Sequence, residues 1–194
     1  MSEEKKVTSI SIRAACDALS EIVGENARNL VLRKAGLERI IDDSPPYDFT
    51  MSFTIPEQAN LYHAVVDYFG KLGAQGILRQ IGYRAAALAS EKGITDHLRD
   101  VPEPEQLYKL IDLFHFLVGK GKVEEVETGI FALDAFDCIH CNGVKSRRPF
   151  CSHYAGALQA LVDRLKGKKV YSAMEEECFA TGGKTCLFVL RKVS

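Results

Sequence analysis

No apolar stretch in the 194 residues approaches the length of a membrane span. Basic and acidic residues nearly cancel, 25 against 26, so no charge excess points to nucleic acid or to an acidic membrane surface. The first residues, MSEEKKVTS, lack the apolar centre of a signal peptide, and a cytoplasmic protein is expected. In a reducing compartment six cysteines do not read as a disulfide framework; they read as thiols, metal ligands or redox groups. A nucleotide-binding loop is missing as well. Gly182-Gly183-Lys184-Thr185 has the end of a G-x-x-x-x-G-K-[ST] loop, but Cys178 stands where its first glycine should be, and the residues that follow are apolar and β-prone rather than helical. No G-x-G-x-x-G follows a strand, so no nicotinamide or flavin fingerprint supplies a hydride. There is no internal repeat and no low-complexity segment.

What remains is a chain that is 46% hydrophobic, enough to build a core without staples. Ile12, Cys16, Leu19 and Val23 recur at helical spacing and predict a helix over 9–23, with Cys16 as a core thiol. A second helical piece over 25–35 ends at Gly36. Ser44-Pro45-Pro46 breaks the chain, and 47–53 reads as an extended connection. Thr54-Ile55-Pro56-Glu57 is a capping-box signature with proline in the first turn. The stripe after it runs through Leu61, Val65, Tyr68 and Leu72, then Ile77, Ile81, Ala85 and Leu88. Gly70, Gly73 and Gly76 interrupt it and mark either a break or a close helix crossing. Leu107, Leu110, Ile111, Phe114 and Leu117 stripe a further helix after Pro102 and Pro104.

From residue 121 the period changes. Residues 122–127 and 130–136 read as a hairpin around Thr128-Gly129, residues 152–166 as a helix ended by Gly167, and 170–179 with 185–191 as a closing hairpin. Helices followed by strand-strand-helix-strand-strand predict an α+β fold, with N-terminal helices packed on a four-stranded antiparallel sheet. The expected division is 1–55 as a helical extension, part of the same fold or a dimer contact, and 56–194 as the ligand-binding domain.

Five cysteines fall in the last third. Cys138 and Cys141 form Cys-x-x-Cys, a spacing that brings two sulfurs to one ion from a tight turn. Cys151 opens a helix, whose dipole favours its thiolate. Cys178 and Cys186 lie on the two arms of a hairpin. Such convergence of sulfur predicts a metal site, zinc first and an iron–sulfur cluster second. Strict alternation along the strand sets Glu175 and Cys178 on opposite faces, so a shared site needs a bulge or a strand end between them. His140 and His153 flank cysteines and are alternative ligands, but each reads as a hydrogen-bonded surface histidine.

The segments FDCIHCNGVKSRRPFCSHYAGALQAL and KVYSAMEEECFATGGKTCLFVLRK resemble the 4-vinyl reductase domain family, which carries a cysteine at a helix start, Glu-x-x-Cys, a glycine turn and a last cysteine before the closing strand. The glycine-spaced YFGKLGAQGILRQIGYRAA is similar to that family's middle helices. The likeness covers roughly residues 56–192. It implies a fold shared with subunits of the TRAPP vesicle-tethering complex, often dimeric, and a role in binding a hydrophobic small molecule such as an aromatic, a hydrocarbon or a tetrapyrrole. In phenol-responsive activators of the family a structural zinc is held by one glutamate and three cysteines, which by motif position are Glu175, Cys151, Cys178 and Cys186. Cys138 and Cys141 are additional to that set. Those sensors place a tryptophan at the phenol and this chain has none, so the resemblance does not extend to phenol itself. The expected pocket residues are Phe114, Phe116, Phe136, Phe150, Tyr154 and Tyr171. The function expected is a non-enzymatic sensor with a homodimer as its working form. The alternatives are an enzyme or assembly factor of tetrapyrrole metabolism, with His115 or His153 at a pigment, and a redox switch at Cys138 and Cys141.

Overall fold

The computed structural model describes residues 6–103, 105–118, 121–136, 138, 140, 141 and 144–193, without the side chains of 114–118. Expected pocket residues Phe114 and Phe116, the helix-stripe residue Leu117 and His115 have side chains outside that description. The elements in chain order are β1 (Lys6–Thr8), α1 (Ser9–Val23), α2 (Glu25–Lys34), β2 (Met51–Thr54), α3 (Ile55–Glu91), α4 (Glu105–Val118), β3 (Lys122–Glu127), β4 (Ile130–Ala135), α5 (Ser152–Lys166), β5 (Tyr171–Glu177) and β6 (Cys186–Lys192). The fold is α+β, as expected, and its main sheet is antiparallel in the order β3-β4-β6-β5.

The N-terminal part holds one pairing that local pattern did not reveal. The connection over 47–53 contains β2, which joins β1 in a small antiparallel pair, Val7 opposite Phe53. The capping box forms as its residues predict. The Thr54 hydroxyl accepts from the Glu57 N–H at 3.2 Å, and a Glu57 carboxylate oxygen accepts from the Thr54 N–H at 2.7 Å.

Gly70 divides α3. Its φ of 72° and ψ of 160° are not helical, and glycine takes them without a Cβ penalty. The break resets the phase of the apolar stripe. Leu61, Tyr62 and Val65 before it are buried, as are Ile77, Leu78 and Ile81 after it, while Tyr68 and Leu72, expected on the inner face, are exposed. Among the three glycines of the break, Gly73 would place a Cβ no closer than 3.6 Å to another atom and Gly76 has nothing within 4 Å. The close crossing lies instead at Gly82 and Gly156. A Cβ on Gly82 would fall 1.7 Å from the His153 carbonyl oxygen, and one on Gly156 would fall 2.0 Å from the Arg79 carbonyl oxygen. Two backbones touching at reciprocal glycines fix α3 against α5.

The inner face of the sheet packs on these helices. Tyr171 and Ala173 on β5, Phe188 and Leu190 on β6, and Phe131, Leu133 and Ala135 on β4 are all buried. They form one apolar cluster with α5 residues Leu158 and Leu161, α3 residues Leu61 and Ile81, and Ile12, Leu19, Val31 and Leu32 of α1 and α2. Gln159 ties α5 to β5 in both directions, donating to the Tyr171 carbonyl at 2.9 Å and accepting from the Ala173 N–H at 2.9 Å. Among the described residues no helix is long and apolar enough to cross a membrane.

Candidate metal centre

The residues that lead to the site sit at one end of that inner face. In β5, Glu175 pairs with Phe188, but the next pairing is Glu177 with Leu187, so Glu176 is an extra residue in the ladder. This bulge returns Cys178 to the face of Glu175 and Cys186. The Cys178 and Cys186 sulfurs lie 3.8 Å apart. A short 3₁₀ turn, Phe179–Thr181, and Gly182 with φ 91° then carry the chain back into β6. The terminal Gly-Gly stretch is a hairpin turn, in line with its sequence.

Cys151 precedes α5 at the helix N-terminus, with no side-chain capping bond of its own. The Cys138 and Cys141 segment, between β4 and α5, brings both sulfurs to it, Cys141 at 2.9 Å and Cys138 at 3.4 Å. Cys141 also lies 3.4 Å from Cys178 and 3.5 Å from Cys186. The Phe150 N–H donates to the Cys178 sulfur at 3.3 Å. All five cysteines are buried and free. Cys16, the sixth, is buried in α1 within the apolar core, where burial raises its pKa to about 11.

Two donor groups emerge from this geometry. Cys138, Cys141, Cys151 and Cys186 form one; Cys151, Glu175, Cys178 and Cys186 form the other; within each, the ligand atoms lie within 4.8 Å of one another. Zinc–sulfur bonds of about 2.3 Å give a tetrahedral edge of about 3.8 Å. Sulfur separations of 3.4 to 3.8 Å, with Cys141 and Cys151 closer still, match the shell of a single small ion. Thiols that surround an iron–sulfur core stand farther apart, because several atoms lie between them.

The protonation pattern also fits a cation. Hydrogen bonding from the Cys141 thiol holds Cys138 and Cys178 far below the ordinary thiol range. The proton partners move up: Cys141 mainly through Cys138, Cys186 mainly through Cys138, and Cys151 mainly through burial. Glu175 is raised to about 10 by burial and then by the Cys178 thiol, against a smaller opposing pull from the Cys151 N–H. Neither Glu175 oxygen has a well-formed hydrogen bond. A buried carboxyl without a partner is costly, and a metal ion is the group that would satisfy it.

His140 and His153 overturn their reading as surface histidines. Both are buried, at 1% and 3% exposure, and neither nitrogen of either ring has a hydrogen-bond partner. Proximity to cysteine does not report exposure; these rings are enclosed because the site is part of the core. They stack with Tyr62 and Tyr154: His153 lies 4.0 Å from Tyr154 and 4.3 Å from Tyr62 between ring centroids, and His140 lies 4.9 Å from His153. Burial pushes His140 down to about 4 and His153 well below the usual range, with His63 and His140 respectively adding to the effect and Cys138 opposing it in both. Of the other expected pocket residues, Phe150, Tyr154 and Tyr171 are buried and Phe136 is half exposed. Phe150 stands edge-on to His63, and Tyr171 packs near Phe131 on the sheet. Tyr62 carried no sequence signal beyond its place on a helical stripe.

Residues 131–192 match the family model of the 4-vinyl reductase domain. That span runs from β4 to β6 and contains all six candidate ligands, so the match falls on the segments whose motifs carry the resemblance. A comparison with curated proteins gives no match. Among solved structures, the chain is similar to the phenol-responsive sensory domain of the transcription activator PoxR with phenol, at 17% identity and a TM-score of 0.59, over 75% of this chain and 77% of that one. It is similar to an H-NOX protein from S. oneidensis in the Fe(II)NO ligation state, at 15% identity and a TM-score of 0.61, over 96% and 99% of the two chains. It is also similar to a trafficking protein particle complex subunit 3 from Naegleria fowleri covalently bound to palmitic acid, at 12% identity and a TM-score of 0.55, over 71% and 93%. At these identities the likeness is one of fold.

Proposed function

We propose that the chain is a small-molecule sensor domain in which a cysteine-bound zinc ion fastens the last hairpin to α5, beside a pocket for a hydrophobic ligand. The observation that carries this reading is the group Tyr62, His140, His153 and Tyr154. It lies within electrostatic reach of the thiols, and its two histidines keep their ring nitrogens unpartnered in a dry core. A core built for packing alone satisfies its polar atoms. A ligand with an apolar body and one polar group would fill the role, its body against the aromatic rings and its polar end on a histidine. The fold likeness to the PoxR sensory domain supports the same reading. The six donors fit zinc through soft sulfur ligands and sub-4 Å spacing. In this reading the N-terminal segment, 1–55, belongs to the same fold, because the apolar residues of α1 and α2 share the common core.

A tetrapyrrole is the second reading. It is favoured by the H-NOX likeness, which spans nearly the whole chain, and by a further similar structure concerned with heme redox potential and porphyrin distortion, at 13% identity and a TM-score of 0.57. Native mass spectrometry of freshly purified protein, followed by calorimetric titration with phenol, palmitate and hemin, separates the two. We expect a co-purifying small molecule, or binding of one of these probes, that is lost in His153→Phe while metal content is unchanged. Absence of any co-purifying molecule and of any binding would overturn the sensor reading.

A further inference from the structure

We infer that the centre holds two metal ions rather than one, with the sulfurs of Cys151 and Cys186 shared between them. This rests on the metal reading above and deepens it. The two donor groups have only Cys151 and Cys186 in common. One group is completed by Cys138 and Cys141, the other by Glu175 and Cys178. A single four-coordinate ion in the first group leaves the Glu175 carboxyl buried beside the unligated Cys178 thiol. A single ion in the second leaves Cys138 and Cys141 unligated, at 6% and 3% exposure. Either choice strands two acidic groups in a water-poor site, one of them a carboxyl without a well-formed hydrogen bond.

Two ions remove the conflict. Six donors serve two four-coordinate ions when two are shared, and a thiolate sulfur has the lone pairs to bridge. Cys151 and Cys186 occupy the positions for it. Cys151 lies 2.9 Å from Cys141 and 3.4 Å from Cys138, and Cys186 lies 3.5 Å from Cys141 and 3.8 Å from Cys178. The contact of Cys141 with Cys178 at 3.4 Å links the two halves. Charge also closes. Five thiolates and one carboxylate carry six negative charges, and two divalent ions leave a net −2, the same as one such ion among four thiolates. Zinc modules with six cysteines and two ions use the same stoichiometry. On binding, the protons of the ligated thiols and of Glu175 pass to solvent. The ligand class is therefore a pair of thiophilic divalent cations. One ion lies on the Cys138–Cys141 side and one on the Glu175–Cys178 side.

The test is the metal-to-protein ratio of the full chain purified without oxygen, by elemental analysis, alongside cadmium NMR of protein reconstituted with cadmium alone. We expect two zinc ions per chain and two cadmium resonances, one from an all-sulfur site and one from a site with an oxygen ligand. Cys138→Ser and Glu175→Gln should each lower the ratio to one while removing different resonances. A ratio of one in the unaltered protein, with a single resonance, would overturn the shared-sulfur centre and leave the one-ion reading standing. Metal-free folded protein would overturn both. Because the unaltered chain gives the deciding ratio, the outcome does not depend on any variant folding.

Discussion

Replacing Gly82 by alanine tests the crossing on which the site is built. The added Cβ would lie 1.7 Å from the His153 carbonyl oxygen, about 1.7 Å short of the 3.4 Å at which ordinary contact begins. The obstructing atom is backbone, so no side-chain rotation relieves it; α3 and α5 must separate. Overpacking of this kind costs about 1–3 kcal/mol, sometimes more, and a backbone obstacle belongs at the upper end. Alanine's better helix propensity returns only about 1 kcal/mol. A net loss of about 2–3 kcal/mol should lower the melting temperature by roughly 4–12 °C for a chain of this size. Gly76→Ala is the internal control. It lies on the same helix with nothing within 4 Å, so it should be neutral or stabilising by up to about 1 kcal/mol. Because α5 begins beside Cys151, separation should also spread the sulfurs, and Gly82→Ala should bind zinc more weakly in a competition titration with a chelator. Thermal unfolding followed by circular dichroism decides the matter. If Gly82→Ala melts with the unaltered protein, α3 and α5 do not cross as described.

Three further outcomes follow from the same structure. Glu57→Gln should cost about 1 kcal/mol at neutral pH through loss of the capping box. Burial acts to raise the Glu57 pKa, but the Thr54 N–H and Arg39 outweigh it and hold it below the ordinary range. Its contribution is therefore complete above the ordinary carboxylate pKa and is lost as pH falls through the lowered one. Urea unfolding should show the gap between variant and parent closing at low pH, and a gap that widened there would contradict the assignment. Gln159→Leu leaves the Tyr171 carbonyl and the Ala173 N–H without their buried partner and should cost about 2–4 kcal/mol; a denaturant midpoint within error of the parent would refute that tie. Cys16, with its pKa raised to about 11, should resist iodoacetamide in the folded protein and react only after unfolding, as peptide mass mapping would register.

Much of this fold was legible because its signals are local. The capping box at Thr54 and Glu57, the period change after residue 121 and the hairpin about Thr128-Gly129 each depend on residues a few positions apart. The convergence of Cys151, Cys178 and Cys186 was legible for a related reason: a helix start and two hairpin arms place them at element ends. The bulge at Glu176 was not, since nothing in Met174-Glu175-Glu176-Glu177-Cys178 distinguishes the extra residue from its neighbours. It was needed only once Glu175 and Cys178 had to share a face. The glycines show the same limit. Spacing drew attention to Gly70, Gly73 and Gly76, yet only Gly70 has unusual backbone angles, and the crossing belongs to Gly82, whose partner Gly156 lies on a different helix. His140 and His153 are enclosed by Tyr62 from α3, a contact that no local pattern encodes.

The central claim is that thiolates from separate segments meet around metal at the end of the sheet. X-ray absorption at the zinc edge, on protein purified without oxygen, tests it most directly. The account predicts zinc with a shell dominated by sulfur at about 2.3 Å. A shell of light atoms alone, or iron with a short iron–iron distance in place of zinc, would contradict it.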